Sequence, residues 1–149
     1  FYGKPVGERL QLSLVESAYL LDRGMLSLMD RSGKELDRES FAARARQIEA
    51  DFDLKFRVYS DLREKRMVVK TGFKFGSHFR VYKQVHGPEK VPHSDYLVHT
   101  LPADHIFLPP VLSRAVRLAH SVRKSMIFAY PLEGEDRLVS YLEIKRLKP

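Results

Sequence analysis

The spacing of apolar residues predicts helices in the first part of the chain. Ser13 and Glu16 have the spacing of a capping box, in which a hydroxyl caps a helix and a carboxylate bonds back to it. Apolar residues follow at helical spacing at Leu14, Val15, Ala18, Tyr19 and Leu21. Gly24 is placed to end this helix. A short strand is expected at 25–30 and a second helix at 40–50.

A further helix is expected where aromatic and apolar residues repeat every three or four positions, at Phe52, Phe56, Tyr59 and Leu62. After residue 67 the pattern changes to short apolar runs separated by prolines and turns. Strands are expected at 67–70, 74–83, 95–100, 125–130 and 137–144. Between them, a helix at 112–124 has a buried stripe at Leu112, Ala115, Val116, Ala119 and Val122.

This order of elements predicts an α/β (α+β) protein with two lobes. We expect a helical or mixed N-terminal lobe at 1–61 and a C-terminal α/β lobe at 62–149. In the strand at 74–83, Phe79 and Val81 alternate with His78, Arg80 and Tyr82. Alternation with period two predicts that the imidazole, guanidinium and phenol lie together on the side away from the core.

Composition narrows the choice of partner and chemistry. The chain of 149 residues carries a formal charge of +7, which favours a polyanionic partner such as nucleic acid. It has no cysteine, which excludes disulfides, thiolate zinc sites and cysteine nucleophiles. No apolar run has the length of a membrane span and no signal-peptide pattern opens the chain. We therefore expect an intracellular, cytoplasmic protein.

The predicted helix at 112–124 also has a polar stripe at Arg117, His120, Ser121 and Lys124. This stripe contains no carboxylate, so its charges are not neutralised locally. An ordinary solvated helix face would also show this pattern. Metal-assisted hydrolysis needs clustered carboxylates, and the one hint is Glu143 and Lys145, which resemble half of a restriction-nuclease motif. No nucleophile elbow or phosphate-binding glycine loop is present. A phenol, imidazoles and cations remain, and these groups can cleave RNA without a metal.

Four stretches resemble the archaeal tRNA-splicing (tRNA-intron) endonucleases, and the resemblance runs along nearly the whole chain. They are LSLVESAYLLDRG, VVKTGFKFGSHFRVY, HSDYLV and RAVRLAHSVRKSMIFAY. The resemblance implies a restriction-endonuclease-like α/β nuclease lobe with a mixed sheet. It also implies a catalytic trio of Tyr82 as general base, His93 as general acid and Lys124 as transition-state stabiliser.

The same resemblance implies a substrate and a way of binding it. The enzyme would cut precursor tRNA at bulge-helix-bulge motifs, without metal or cofactor, and leave 2′,3′-cyclic phosphate and 5′-OH ends. Arg117 and Arg146 would stack on a flipped bulge base. The alternatives from the residues are a metal-dependent, restriction-like nuclease that uses Glu143 and Lys145, and a non-catalytic RNA-binding subunit.

Assembly is expected through an acidic loop, defined by Glu133, Glu135 and Asp136. A solvated hairpin tip has the same composition, but the resemblance implies a loop that reaches into a basic groove on another unit. Homotetramer, heterotetramer and dimer of fused units all remain open. The chain begins almost at its first helix, so we expect it to lack the strands that precede this helix in complete family members. Its length suits a catalytic subunit or the catalytic half of a longer chain.

Overall fold

The computed structural model describes residues 1–85, 92–134 and 138–147. The chain divides into two compact units, Phe1–Phe56 and Arg57–Pro149, and the division falls inside one helix. The lobe boundary expected between residues 61 and 62 remains a prediction. Within the described residues, no helix is both long and apolar enough to cross a membrane.

The first unit contains short strands and helices. The elements in chain order are β1 (Lys4–Val6), β2 (Arg9–Gln11), α1 (Leu14–Asp22), β3 (Leu28–Met29), β4 (Glu35–Leu36) and α2 (Arg38–Ile48), followed by the start of α3 (Phe52–Glu64). The capping box is confirmed, because Ser13 Oγ accepts from the Glu16 N–H and the Glu16 carboxylate accepts from the Ser13 N–H at 2.9 Å. Glu16 also accepts from the Gly3 N–H at 2.9 Å, which attaches the N-terminal hairpin to α1.

The expectation that no strands precede the first helix is wrong. β1 and β2 form an antiparallel hairpin ahead of α1, with Pro5 opposite Leu10. All residues of both strands are exposed, so the hairpin has no buried face to produce an alternating apolar pattern. Pro5 also weakens any strand prediction, since proline lacks the N–H that a strand donates.

The described part of the second unit contains a mixed five-stranded sheet. Its strands, in spatial as well as chain order, are β5 (Val68–Thr71), β6 (Phe79–Tyr82), β7 (Tyr96–Thr100), β8 (Ser125–Pro131) and β9 (Val139–Ile144). β7 and β8 are parallel, joined by a crossover through α4 (Pro109–Ser121), and the other pairs are antiparallel. The predicted α/β fold with a mixed sheet is confirmed.

Both faces of this sheet are covered. Leu97, Met126 and Phe128 pack against Val116 and Ala119 of α4, as the predicted buried stripe requires. On the other face, the ring of Tyr59 in α3 lies 5.9 Å from the ring of Phe79. The side of the sheet that faces α3 includes three fully buried valines, Val69, Val81 and Val98, which the strand pairing places on the same face as Phe79.

Several element boundaries differ from the prediction by a few residues, and two of them bear on the candidate site. The strand expected from residue 74 begins at Phe79, because Phe73–Phe75 form a 3₁₀ helix that ends at Gly76 in the left-handed conformation (φ 62°). The helix expected at 112–124 begins at Pro109 and ends at Ser121. Proline suits the first turn, where no N–H is needed, and the left-handed φ of 57° at Arg123 separates Lys124 from the helix. The polar stripe predicted through Lys124 is therefore wrong at that residue.

Candidate active site

The predicted trio lies along three neighbouring strands at one end of the sheet. Tyr82 is the last residue of β6, His93 comes shortly before β7, and Lys124 comes directly before β8. Because β6 runs antiparallel to β7 and β7 runs parallel to β8, the end of β6 lies beside the starts of the other two. The topology thus brings these three chain positions to one edge, although 42 residues of sequence separate the first from the last.

Asp95 connects the three strand ends. Its N–H donates to the carbonyl of Val81 at 2.9 Å, and its own carbonyl accepts from the N–H of Ser125 at 3.2 Å. Its carboxylate accepts from the N–H of Lys83 at 2.8 Å. These bonds hold the segment that follows His93 between β6 and β8.

Lys124 is half-buried and has several partners. Its Nζ donates to the carbonyl of Ser94 at 2.9 Å and lies 5.7 Å from the centre of the Phe75 ring. The guanidinium carbon of Arg80 lies 5.5 Å from the same ring. Burial lowers the pKa of Lys124, the positive charge of Arg80 lowers it further, and Asp95 acts in the opposite direction. The ammonium is thus held in a place that disfavours its charged form.

Tyr82 is buried, with 5% of its surface exposed. The prediction of a strand with one side away from the core is wrong at this residue, because β6 is an inner strand of a sheet that is packed on both faces. Arg80 is half-buried and donates from Nε to the carbonyl of Thr71 at 3.0 Å. His93, by contrast, is exposed.

His78 makes contacts with residues of β7. Its Nδ1 accepts from the N–H of Thr100 at 2.9 Å, which places the ring proton of a neutral His78 on Nε2. The ring of His99 lies 5.5 Å away in an edge-on contact. Burial lowers the pKa of His99. These contacts fix His78 against β7, at the opposite end of β6 from Tyr82.

Arg117 and Arg146, the predicted base-binding pair, line one cavity of about 280 Å³. Both side chains are exposed, one on α4 and the other just after β9. The wall of the cavity is apolar where Phe107, Leu112, Val116 and Ile144 contribute. An apolar surface with two guanidinium groups beside it suits a flat, uncharged ring.

The carboxylate of Glu143 is paired with its neighbour. It lies 3.2 Å from the Lys145 ammonium. A hydrogen bond from the Ser125 side chain lowers the pKa of Glu143, and Lys145 lowers it further. Within residues 1–85, 92–134 and 138–147, no group of three or more His, Asp or Glu side chains is arranged to hold a metal ion.

The acidic loop is described in part. Glu133 is exposed in a turn after β8, whereas Glu135 and Asp136 lie outside the described residues. At the base of the loop, Leu132 donates its N–H to the carbonyl of Leu138 at 3.0 Å. Arg57 of α3 donates to the carbonyls of both leucines at 3.3 Å. The loop therefore begins and ends at a fixed position on the second unit.

Sequence reasoning missed Phe75 and Asp95 as parts of this site. Phe75 belongs to the motif GFKFG, whose paired glycines indicate a turn but not the direction of its rings. Asp95 follows a Pro-His-Ser run directly before a strand, which is a position where Asp accepts backbone N–H groups. The position of Asp95 could therefore have been recognised from the sequence.

Comparison with known proteins gives consistent matches. A model of the tRNA intron endonuclease catalytic C-terminal domain matches residues 52–141, and a model of the tRNA intron endonuclease N-terminal domain matches residues 1–42. The tRNA-splicing endonuclease of Methanococcoides burtonii is 56% identical over 149 residues, covering 99% of this chain and 42% of that protein. That of Pyrococcus abyssi is 40% identical over 147 residues, covering 99% of this chain and 82% of that protein.

A tRNA-splicing endonuclease of Haloarcula marismortui is 44% identical over 152 residues, and 43% of that protein is covered. The chain thus spans about two fifths of the length of the Methanococcoides and Haloarcula relatives and most of the Pyrococcus one. The catalytic-domain match includes the positions of Tyr82, His93 and Lys124. From these matches, the chain belongs to the tRNA intron endonuclease family and carries its N-terminal and catalytic C-terminal domains.

Proposed function

We propose that this chain is the catalytic unit of a metal-independent RNA endonuclease that removes introns from precursor tRNA. Family membership supports the reaction class. The observation that carries the proposal is the meeting of the ends of β6, β7 and β8, where Tyr82, His93 and Lys124 are found. The same proposal implies a cytoplasmic location, since its substrate is an intracellular RNA.

The proposed reaction needs two proton transfers and one charge stabiliser. Tyr82, in its ionised form, accepts the proton of the ribose 2′-OH, and the 2′-oxygen attacks the adjacent phosphorus. The bond from phosphorus to the 5′-oxygen then breaks, and His93, in its protonated form, gives its proton to that oxygen. Lys124 stabilises the charge on the phosphorane. The products are a 2′,3′-cyclic phosphate and a 5′-OH.

Two features of the geometry support these roles. The exposed position of His93 allows its imidazole to approach a leaving group on a bound RNA. The hydrogen bond from Lys124 to the Ser94 carbonyl fixes the ammonium next to the segment that carries His93. A preorganised cation of this kind needs little rearrangement when negative charge develops.

Recognition of the substrate is proposed at the cavity beside Arg117 and Arg146. A base flipped out of a bulge would lie between the two planar guanidinium groups, with the apolar wall of the cavity at its edge. We propose bulge-helix-bulge RNA as the substrate class because this motif presents unpaired bases next to the cut sites. Many phosphate contacts from a chain of charge +7 would supply most of the affinity.

Assembly with other endonuclease units is proposed through the acidic loop. A chain with a formal charge of +7 repels its copies unless carboxylates lie at the contact. Arg57 holds the two ends of this loop, at Leu132 and Leu138, on the second unit. Homotetramer, heterotetramer and dimer of fused units fit this proposal equally.

The test is cleavage of a bulge-helix-bulge RNA in EDTA, with the ends mapped. Cyclic-phosphate and 5′-OH ends support the proposal. Loss of cleavage in EDTA would favour a metal-dependent nuclease that uses Glu143 and Lys145, and binding without cleavage would favour a non-catalytic RNA-binding subunit. His93→Ala should slow cleavage roughly 10²–10⁴-fold, as expected for a general acid, whereas the exposed His120→Ala serves as the matched control.

A further inference from the structure

The motif GFKFG, residues 72–76, is a turn of fixed geometry beside the site. A side chain at Gly72 would meet Ser77 Oγ at 2.3 Å and the backbone carbon of Phe79 at 2.9 Å, so glycine alone fits there. Gly76 has a φ of 62°, which other residues rarely adopt. Between these glycines the chain forms the 3₁₀ helix that contains Phe73 and Phe75.

This turn sends its two phenylalanine rings into different environments. Phe73 is 87% exposed. Phe75 is half-buried and packs against the hydrophobic cluster between α4 and the sheet. The same ring lies 5.5 Å from the guanidinium carbon of Arg80 and 5.7 Å from the ammonium of Lys124. One aromatic ring therefore contacts two cations.

Each of these cations is also held by a backbone carbonyl. Arg80 Nε donates to Thr71 at 3.0 Å, and Lys124 Nζ donates to Ser94 at 2.9 Å. Two like charges repel, and flexible side chains would normally move apart into solvent. Here a carbonyl and the Phe75 ring restrict each one, so the pair is kept together at the end of β6.

We propose that Phe75 is a positioning residue that holds Arg80 and Lys124 as a pair of cations for the scissile phosphate. The inference rests on the proposed function, because the phosphate is that of the RNA to be cut. A phosphorane carries more negative charge than the phosphodiester from which it forms. Two cations that are already in place therefore stabilise the transition state more than the bound substrate.

The matched variants lie within the same 3₁₀ helix. Phe75→Leu keeps an apolar side chain but removes the ring, Phe75→Tyr keeps the ring, and Phe73→Leu alters the exposed phenylalanine. In steady-state cleavage by the full-length protein, Phe75→Leu should lower kcat by roughly fivefold to thirtyfold, the loss expected for a partly desolvated cation–π contact. KM should change little, because many phosphate contacts determine RNA affinity. Phe75→Tyr and Phe73→Leu should both cleave at close to the wild-type rate.

A second measurement does not depend on cleavage. Protons on the side-chain carbon next to the Lys124 ammonium should show an aromatic ring-current shift by NMR. The shift should disappear in Phe75→Leu and persist in Phe75→Tyr and Phe73→Leu. Its persistence in Phe75→Leu would overturn the positioning role, as would a wild-type kcat for that variant or an equal loss in Phe73→Leu. If the wild type does not cleave, the proposed function is overturned and the catalytic role of Phe75 falls with it, while the NMR result still decides the cation arrangement.

Discussion

The Arg80→Gln variant tests the electrostatic coupling between the two cations of the site. Arg80 lowers the pKa of Lys124, in addition to the larger effect of burial. Glutamine keeps a polar side chain of moderate length and removes the charge. The pKa of Lys124 should therefore rise in this variant, whereas Arg80→Lys retains the charge and should leave it close to the wild-type value.

The distances give the size of the effect. Because the two cationic groups lie 5.5 and 5.7 Å from one ring centre, they are at most about 11 Å apart. At that largest separation their repulsion is about 0.4 kcal/mol at the dielectric constant of water and about 1.5 kcal/mol at an effective value near 20, and it is greater if the groups are closer. Arg80→Gln removes this repulsion, which favours the charged form of Lys124 and raises its pKa.

The assay is single-turnover cleavage from neutral to alkaline pH, beside an NMR titration of Lys124. In the proposed reaction both Lys124 and His93 act in their protonated forms, so the alkaline fall in rate has more than one source. The NMR titration follows Lys124 alone, and its midpoint should move to higher pH in Arg80→Gln, even if the maximal cleavage rate is also reduced. An unchanged or lower NMR midpoint of Lys124 in Arg80→Gln, or an equal rise in Arg80→Lys, would refute the coupling.

Three other perturbations address recognition, assembly and stability. Arg117→Ala should reduce cleavage of bulged RNA by an amount that corresponds to losing the roughly 1–3 kcal/mol of one stacked base. Arg117→Lys should not restore cleavage, since an ammonium has no planar face. Full rescue by lysine would show that Arg117 supplies only charge. Neutralising the three carboxylates of the acidic loop should lower the mass of the assembly measured by light scattering, while the circular dichroism spectrum stays unchanged. A mass equal to that of the wild type would indicate that the loop is an ordinary solvated hairpin tip. Tyr141 donates a hydrogen bond to the carboxylate of Asp61. Burial raises the pKa of Tyr141, and the Asp61 carboxylate raises it further. Tyr141→Phe should therefore lower the free energy of unfolding in urea by roughly 1.5–3 kcal/mol. This contribution is present at neutral pH and is lost as pH rises past the ordinary tyrosine pKa. An unchanged urea midpoint in Tyr141→Phe would contradict it.

Local patterns predicted the elements whose apolar residues are buried. α1 could be located because its capping box and its apolar spacing both lie within a few residues, and the structure confirms both. The buried stripe located α4, but the helix begins earlier than predicted, at Pro109, and ends earlier, because Arg123 adopts a left-handed conformation that non-glycine residues seldom take. The exposed hairpin of β1 and β2 gave no pattern to detect.

The candidate site depends on tertiary structure, which limits what periodicity can show. The strand ends that carry Tyr82, His93 and Lys124 come together only because β6, β7 and β8 pair in a particular order, and nothing local specifies that order. Periodicity also assigned Tyr82 to a side away from the core, because the packing of α4 over that face is not encoded in the strand itself. Family resemblance, rather than local chemistry, selected His93 from six histidines.

The most direct measurement of the central claim uses an RNA whose 5′-oxygen at the cut site is replaced by sulfur. A thiolate leaves without protonation, so a variant that lacks the general acid should recover on this substrate. His93→Ala, slow on normal RNA, should cleave the sulfur-containing RNA at close to the wild-type rate, whereas Tyr82→Phe should remain slow on both. Equal defects of His93→Ala on the two substrates, or recovery of Tyr82→Phe, would contradict the assigned roles.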